Sequence, residues 1–496
     1  MELALPFDPM RANWPLLANT NSPATHKLNV TAPYDGSLIG QIEAAEEVHV
    51  DEALVSAYAL FRAKDRWLPL HQRISILRKA ATLVSAHADS LALESAREGG
   101  KPLRDSQVEV ARVLECLELA CEHIAQHTGA RVPMGASERT AERLAVTQKE
   151  PIGVVVAVSA FNHPLNLIAH QVFSAVAAGA PVIVKPAEDT PLACLRLVHI
   201  LHEAGLPPAW CQCLMTRTNS VANRLVTDAR VAFLSFIGSA AVGWKLRSQL
   251  PPGTRCALEH GGLAPVVMAV DANQAAACSA LTAGGFYHAG QVCVSVQRVF
   301  APRAWAREFG QQLAHSAQAL QVGDPTLDTT EVGPLIRPAE VERVHDWVQE
   351  AIQGGAELLC GGESLITPGD SSGVARSYAP TVLYNPPGDA RVSQQEIFGP
   401  VVAIYPYDEL EDACHQANGV AFAFQAAVFT DSLDTALRVF KWIDASAVMV
   451  NDHTAFRDDG MPFAGLRRSG LGVGGIPHSI DEMQIEKMLV INSPQL

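Results

Sequence analysis

The chain has 496 residues, with 48% apolar and 18% charged residues, a length that suits roughly two to four domains. Its net charge of −15 argues against nucleic acid or an anionic membrane as a partner. No segment reaches the ~18–20 uninterrupted apolar residues of a membrane span, and Met1–Trp14 lacks the basic start and apolar core of a signal peptide. The ten cysteines are scattered, which fits a reducing cytoplasm.

Residues 1–45 read as an arm with short strands. Amphipathic helical stretches follow near 47–64, 71–98 and 105–127. The pattern then changes to alternation. Val154–Ser159 is a β-branched run, Pro164–Ala178 is helical, and Pro181–Lys185 is an apolar strand. Leu192–Glu203 is a helix that stops at Gly205-Leu206-Pro207-Pro208. Val231–Phe236 is a further strand, followed by a helix from Ser239 to Leu250. Strands alternating with helices imply a parallel sheet with crossovers, a nucleotide-binding architecture whose ligand lies at the carboxyl ends of the strands. A second alternating region runs from Pro265–Ala269 to about Val450, with helices near 303–320, 338–354 and 432–443. Arg143–Gln148 and Met488–Asn492 read as strands remote from both cores. Cys211-Gln212-Cys213 reads as a strand with both thiols on one side; no second pair or histidine cluster completes a zinc site, and no metal is expected.

Two segments carry chemistry. Phe286-Tyr287-His288-Ala289-Gly290-Gln291-Val292-Cys293 sets one cysteine in a Gly-containing turn, and Leu258-Glu259-His260-Gly261-Gly262 supplies a carboxylate upstream. A thiolate can attack a carbonyl, and a carboxylate can later activate a water. A third segment, Phe236-Ile237-Gly238-Ser239-Ala240-Ala241-Val242-Gly243, ends a strand at Gly238 and starts a helix at Ser239. A helix start offers unpaired N–H groups and a positive dipole end to a diphosphate. Read alone, Ser239 is simply an N-cap.

These segments resemble the aldehyde dehydrogenase superfamily, and the resemblance covers nearly the whole chain. Further matches are Pro151-Ile152-Gly153-Val154-Val155, Phe161-Asn162-His163-Pro164-Leu165, Lys185-Pro186-Ala187-Glu188, Glu396-Ile397-Phe398-Gly399-Pro400 and Met461-Pro462-Phe463-Ala464-Gly465, in the family's order and spacing. The resemblance implies an α/β fold: a Rossmann-type parallel-sheet NAD-binding domain from 1–128 and 149–258, an α/β catalytic domain from 259–477, and a β oligomerisation arm from 129–148 and 478–496. It implies Cys293 as nucleophile, Glu259 as the base that hydrolyses a thioester, and Asn162 as an oxyanion donor. Lys185 and Glu188 would reach the adenosine ribose, and Gly238, Ser239 and Val242 the pyrophosphate. Glu396 would hold the nicotinamide ribose, with Phe398 beside the ring. A carboxylate at 188 repels a 2′-phosphate, favouring NAD over NADP. A homodimer or homotetramer is expected.

The chain departs from the family at two places. Val473-Gly474-Gly475 stands where Arg-Glu-Gly-Gly is usual, and Gln171 where many members have lysine, so a proton relay built from those groups cannot exist here in that form. The lining also differs. His163, Asn166, His170 and Arg457 stand where aromatic and large aliphatic side chains are common, with Tyr287 retained. An arginine buried without a partner is costly, and an anionic substrate would supply one. Arg457, His163, His170, Tyr287 and possible second contact Arg112 are thus expected to select a short polar or anionic aldehyde. Succinate semialdehyde, phosphonoacetaldehyde, sulfoacetaldehyde and lactaldehyde-like compounds stay open. The alternatives are Arg457 paired to Asp458 or Asp459 with a neutral substrate, a CoA-acylating enzyme, and a non-catalytic or regulatory relative.

Overall fold

The computed structural model describes residues 12–126, 129–369 and 371–496. Two sheets organise it. The first has the order Gly470–Leu471, Arg255–Glu259, Val231–Ile237, Val154–Val158, Val182–Lys185, Cys211–Cys213. All neighbours are parallel except the antiparallel edge pair Leu258–Leu471 and Glu259–Gly470. The central strands are buried on both faces, as helix-covered parallel strands must be. The second sheet has seven strands, with Pro265–Met268 and Arg298–Pro302 near its middle and Ala447–Val450 at one edge. Each sheet nucleates its own apolar core, one around Val155, Phe173 and Leu197, the other around Val267, Phe300 and Ile404.

The expected strand-and-helix alternation is present, with shifted ends. The stretch near 71–98 is two helices, Leu70–Ala86 and Ala88–Gly99, parted at His87, whose φ of −118° leaves the helical range. Asp89 then sits in a first turn, where a carboxylate suits the dipole. Gly470–Leu471, inside the expected 259–477 unit, pairs into the first sheet beside Glu259. Arg143–Pro151 and Gln484–Asn492 pair along their whole lengths in a separate three-stranded sheet, whose last strand exposes Met488, Leu489, Val490 and Ile491. The Cys211–Cys213 strand is buried, with Cys213 Sγ 3.8 Å from Cys194 Sγ. Among the described residues, no helix is long and apolar enough to cross a membrane.

Candidate active site

Parallel strands release their chains at a common end, and the site lies there. Asn162 follows Val154–Val158, Lys185 ends Val182–Lys185, Gly238 follows Val231–Ile237, and Glu259 ends Arg255–Glu259. Cys293 comes from the second sheet's side, in the loop between the helix Gln274–Phe286 and the strand Arg298–Pro302. That loop is shaped by left-handed backbone at His288, Ala289 and Gly290 (φ 49°, 54° and 69°). A side chain on Gly290 would collide with the Gly399 carbonyl, so only glycine fits there.

The thiol and the two glutamates share one pocket of charge. Burial pushes the Cys293 thiol up to about 12, and Glu396 and Glu259 add to the rise while Arg457 opposes it. Burial likewise lifts Glu259 to about 7, against the pull of Arg457, and Glu396 to about 8, against Arg343. The resting nucleophile is therefore a thiol, and added positive charge in the site favours the thiolate. Gly262 N–H donates to the Cys293 carbonyl (3.2 Å), tying the two chemical segments together. Asn162 Nδ2 donates to the Gln291 carbonyl (2.9 Å), which fixes the amide beside the cysteine turn and uses one of its two N–H groups.

Several expected cofactor residues lie at or just beyond the carboxyl ends of the first sheet's strands. Ser239 is the N-cap of the helix Ala240–Arg247, but its hydroxyl makes no capping bond. The helix start therefore keeps free donors for a diphosphate. Val242 is half-exposed on that first turn. His260 packs over Gly243, where a Cβ would collide with its ring, and its Nδ1 lies 2.8 Å from the Gly238 carbonyl. Lys185 is buried and donates to the Pro186 carbonyl (3.1 Å), while Glu188 is exposed and pulls electrostatically on Lys185. Glu396 Oε1 is buried with no partner among the described residues, an acceptor that a ribose hydroxyl would satisfy. A side chain on Gly261 would collide with that carboxylate. Phe398 has a left-handed backbone (φ 49°) and meets Phe161 edge-on at 5.8 Å.

The expected substrate residues divide. Arg112 is gripped by Asp459 (Nη2–Oδ1 2.6 Å, Nε–Oδ2 3.0 Å), and His170 Nε2 lies 2.7 Å from the same Oδ1. Neither is a free anion receptor, because the Asp459 charge already answers them. Burial opposes the Asp459 charge, yet His170 and Arg112 hold its carboxyl well below the usual range. Cys116 brings a third ligand-type atom to this cluster. The bidentate guanidinium on Asp459 makes it an ion-pair network. His163 is buried, with Nδ1 3.0 Å from Lys101 Nζ, and it stacks on Tyr287 at 5.9 Å. Lys101 in turn pairs with Glu109, whose Oε1 accepts from the N–H groups of Leu165 and Asn166 (both 2.9 Å). Arg457 pairs with neither Asp458 nor Asp459. It donates to the Met461 carbonyl (3.0 Å) and lies 4.1 Å over the Phe463 ring, while its charge acts on both Glu259 and Cys293.

Sequence reasoning missed Lys101, Glu109 and the hub role of Asp459. One signal was available: a glutamate on the apolar face of the 105–127 helical stretch demands a buried partner.

The chain belongs to the aldehyde dehydrogenase family, whose model matches residues 20–489. It is 35% identical over 467 residues to 3-sulfolactaldehyde dehydrogenase from Priestia megaterium, covering 94% of this chain and 95% of the relative. Aldehyde dehydrogenase 21 from Physcomitrella patens, solved with the reaction product succinate, superposes with a TM-score of 0.92 at 30% identity, covering 98% of this chain and all of that one. Glyceraldehyde-3-phosphate dehydrogenase GapN from Methanocaldococcus jannaschii, solved with NADP, gives 0.88 at 31% identity over 94% of this chain and 99% of that one.

Proposed function

We propose that this chain oxidises a short polar or anionic aldehyde to its carboxylic acid with NAD and water. The observation that carries the substrate class is Arg457, a largely buried cation beside Cys293 and Glu259 that no carboxylate pairs within 4 Å among the described residues. A distal carboxylate, sulfonate or phosphonate would supply the missing charge in a bidentate pair. The names of the similar proteins, which concern sulfolactaldehyde, succinate and a phosphorylated aldehyde, point the same way. His163 and Tyr287 line the approach as a stacked pair.

Cys293 attacks the aldehyde carbon. Asn162 and the backbone N–H of Cys293 take the oxyanion, a contribution of roughly 2.7–4 kcal/mol per donor. NAD supplies the hydride acceptor; Ser239 and the helix start behind it, Lys185, Glu188 and Glu396 would hold it. Glu188, exposed near Lys185, favours NAD by repelling a 2′-phosphate. Glu259, with a proton affinity poised near neutrality, removes a proton from the water that hydrolyses the thioester. That base argues against CoA as the acyl acceptor. The test is an aldehyde panel followed by NADH formation without CoA. The expected outcome is the highest kcat/KM on an anionic or hydroxylated short aldehyde. A CoA requirement, or a preference for hexanal or benzaldehyde over every anionic aldehyde, overturns the reading.

A further inference from the structure

A base that activates one water per turnover must lose one proton per turnover, and the chain's own residues offer an outlet. Glu259 and Ala257 point to one face of the strand Arg255–Glu259, because side chains alternate along it. A Cβ on Gly472 would lie 3.2 Å from Ala257 Cβ and 2.9 Å from Glu482 Oε2. The Glu482 carboxylate is therefore seated over Ala257, on the face that carries Glu259, two residues back along the strand. Its Oε1 accepts from Val473 N–H (2.9 Å). At the other end of Gly472-Val473-Gly474, a side chain on Gly474 would collide with Glu259 Oε1. One short glycine segment thus separates two partly buried carboxylates, which sit over strand positions about 6.6 Å apart.

Gln171 covers the same face. Ser235 pairs with Ala257 across the sheet, and Gln171 Nε2 donates to the Ser235 carbonyl (3.0 Å), Ser235 Oγ (3.1 Å) and the Val158 carbonyl (3.1 Å). It stands in a π-helical turn, Ala169–Phe173, which packs against the helix Ile476–Glu482. Gln171 Oε1 is buried and has no partner among the described residues. Such an acceptor is ordinarily satisfied by an ordered water. The Glu482 charge acts on Glu259 across this gap, and two waters in series, each about 2.8 Å from its neighbours, would span it. Glu482 also lines a cavity of about 730 Å³ that opens to solvent, together with Arg247, Arg255, Cys256 and Leu471. The titratable or charged groups around Glu482 are Glu259 beyond the glycines, Arg247 from the helix Ala240–Arg247, Arg255 and Cys256 from the strand, and His478 and Asp481 on its own helix.

We propose, resting on the hydrolytic role of Glu259 above, that Glu482 is the proton outlet of the site and acts through Glu259. The water oxygen bonds to the thioester carbon, the C–S bond breaks with its electron pair returning to Cys293 sulfur, and the water's proton resides on Glu259. That proton passes through water in the gap to Glu482, then to water or a buffer base in the cavity, and both carboxylates are restored. Burial raises both carboxyls above the ordinary carboxylate range.

Glu482→Gln preserves an acceptor for Val473 N–H and removes the relay. With whichever of succinate semialdehyde, lactaldehyde and propanal turns over fastest, the pre-steady-state burst of NADH should keep its amplitude and rate. The steady-state rate in dilute buffer should fall about tenfold or more. Imidazole at rising concentration should restore it in the variant and not change the wild type, and Glu482→Asp should retain more of the rate than Glu482→Gln. A Glu482→Gln enzyme with the wild-type steady-state rate in dilute buffer overturns the proposal. So does one whose burst and steady state fall together with no imidazole response, which would make Glu482 only an anchor for Val473. Glu259→Gln, measured in parallel, separates the two levels: if that variant keeps its steady-state rate, the hydrolytic role of Glu259 itself fails.

Discussion

Arg112 holds Asp459 through two parallel hydrogen bonds of 2.6 and 3.0 Å, so the Asp459 charge reaches Arg457 only through space and forms no direct pair with it. Arg457 is left with a backbone carbonyl and the face of Phe463. Replacing it by leucine should therefore cost anionic aldehydes about ten- to a hundredfold in kcat/KM, the value of one charge-assisted pair. A neutral aldehyde of similar length should lose little. Kinetics with both aldehydes on both enzymes check this, and an equal loss on both would make Arg457 structural.

Asp459 carries the opposite expectation, a loss of stability. Asp459→Asn leaves the Arg112 guanidinium without its countercharge, and breaking a buried pair in this way costs about 3–5 kcal/mol. The sign of the pH dependence follows from the depressed carboxyl. Its stabilisation is fully present above the unfolded value of about 3.9 and is lost as pH falls towards the folded one. Denaturation midpoints of wild type and variant should stay separated by a constant gap from pH 7 to pH 5 and converge only below about pH 4. A gap that closes already at pH 6 would assign it to another group.

Much of this was legible in the sequence. Alternating β-branched runs and helices placed Lys185 and Gly238 at strand ends, because a parallel sheet exits on one side, whereas the short strand Arg255–Glu259 that ends at Glu259 was not read. The segments 143–148 and 488–492 were legible as strands remote from both cores, though not that they pair with each other. What stayed hidden is the pairing of charged side chains. Arg112 and Asp459 are 347 positions apart, and no periodicity links them. Glu482 was equally silent, since only the fold of Gly472–Gly474 brings its carboxylate onto the face of Glu259.

Cys293 and Glu259 should separate kinetically. Cys293→Ala should form no NADH and still bind NAD. Glu259→Gln should give one burst and then turn over slowly, because hydride transfer precedes hydrolysis. With Glu259 lifted to about 7, its basic form appears as pH rises, so the wild-type deacylation rate should climb between about pH 6 and 8. Stopped-flow NADH absorbance measures all three; a burst abolished in Glu259→Gln, with fold and NAD affinity intact, would place this glutamate before hydride transfer.

Glu188 is exposed and its charge acts on Lys185; on the proposed reading a 2′-phosphate would meet that charge. Glu188→Ser should narrow the NAD over NADP preference by removing that repulsion. The ratio of kcat/KM for the two cofactors decides the point. An unchanged ratio would locate discrimination elsewhere.

The strand Gln484–Asn492 pairs on one side with Arg143–Pro151 and is the outermost strand of its sheet. Its other edge carries unpaired backbone groups, and Met488, Leu489, Val490 and Ile491 are 52%, 58%, 46% and 42% exposed, more apolar surface than an open edge tolerates in a free monomer. A second open edge exists: Ala447–Val450 closes the seven-stranded sheet, with Val450 half-exposed and Leu433, Leu437 and Phe440 exposed on the adjoining helix Leu433–Trp442. We expect the two edges to pair between subunits, since each lacks a second strand partner among the described residues and each is apolar. The full chain is expected to be a dimer or tetramer, and a chain truncated after residue 477 should be monomeric or aggregated. Phe440→Glu should weaken the same assembly without touching the strand. Light scattering on the three proteins is the measurement, and a truncated chain that keeps the full-length assembly state would place the subunit contact on another surface.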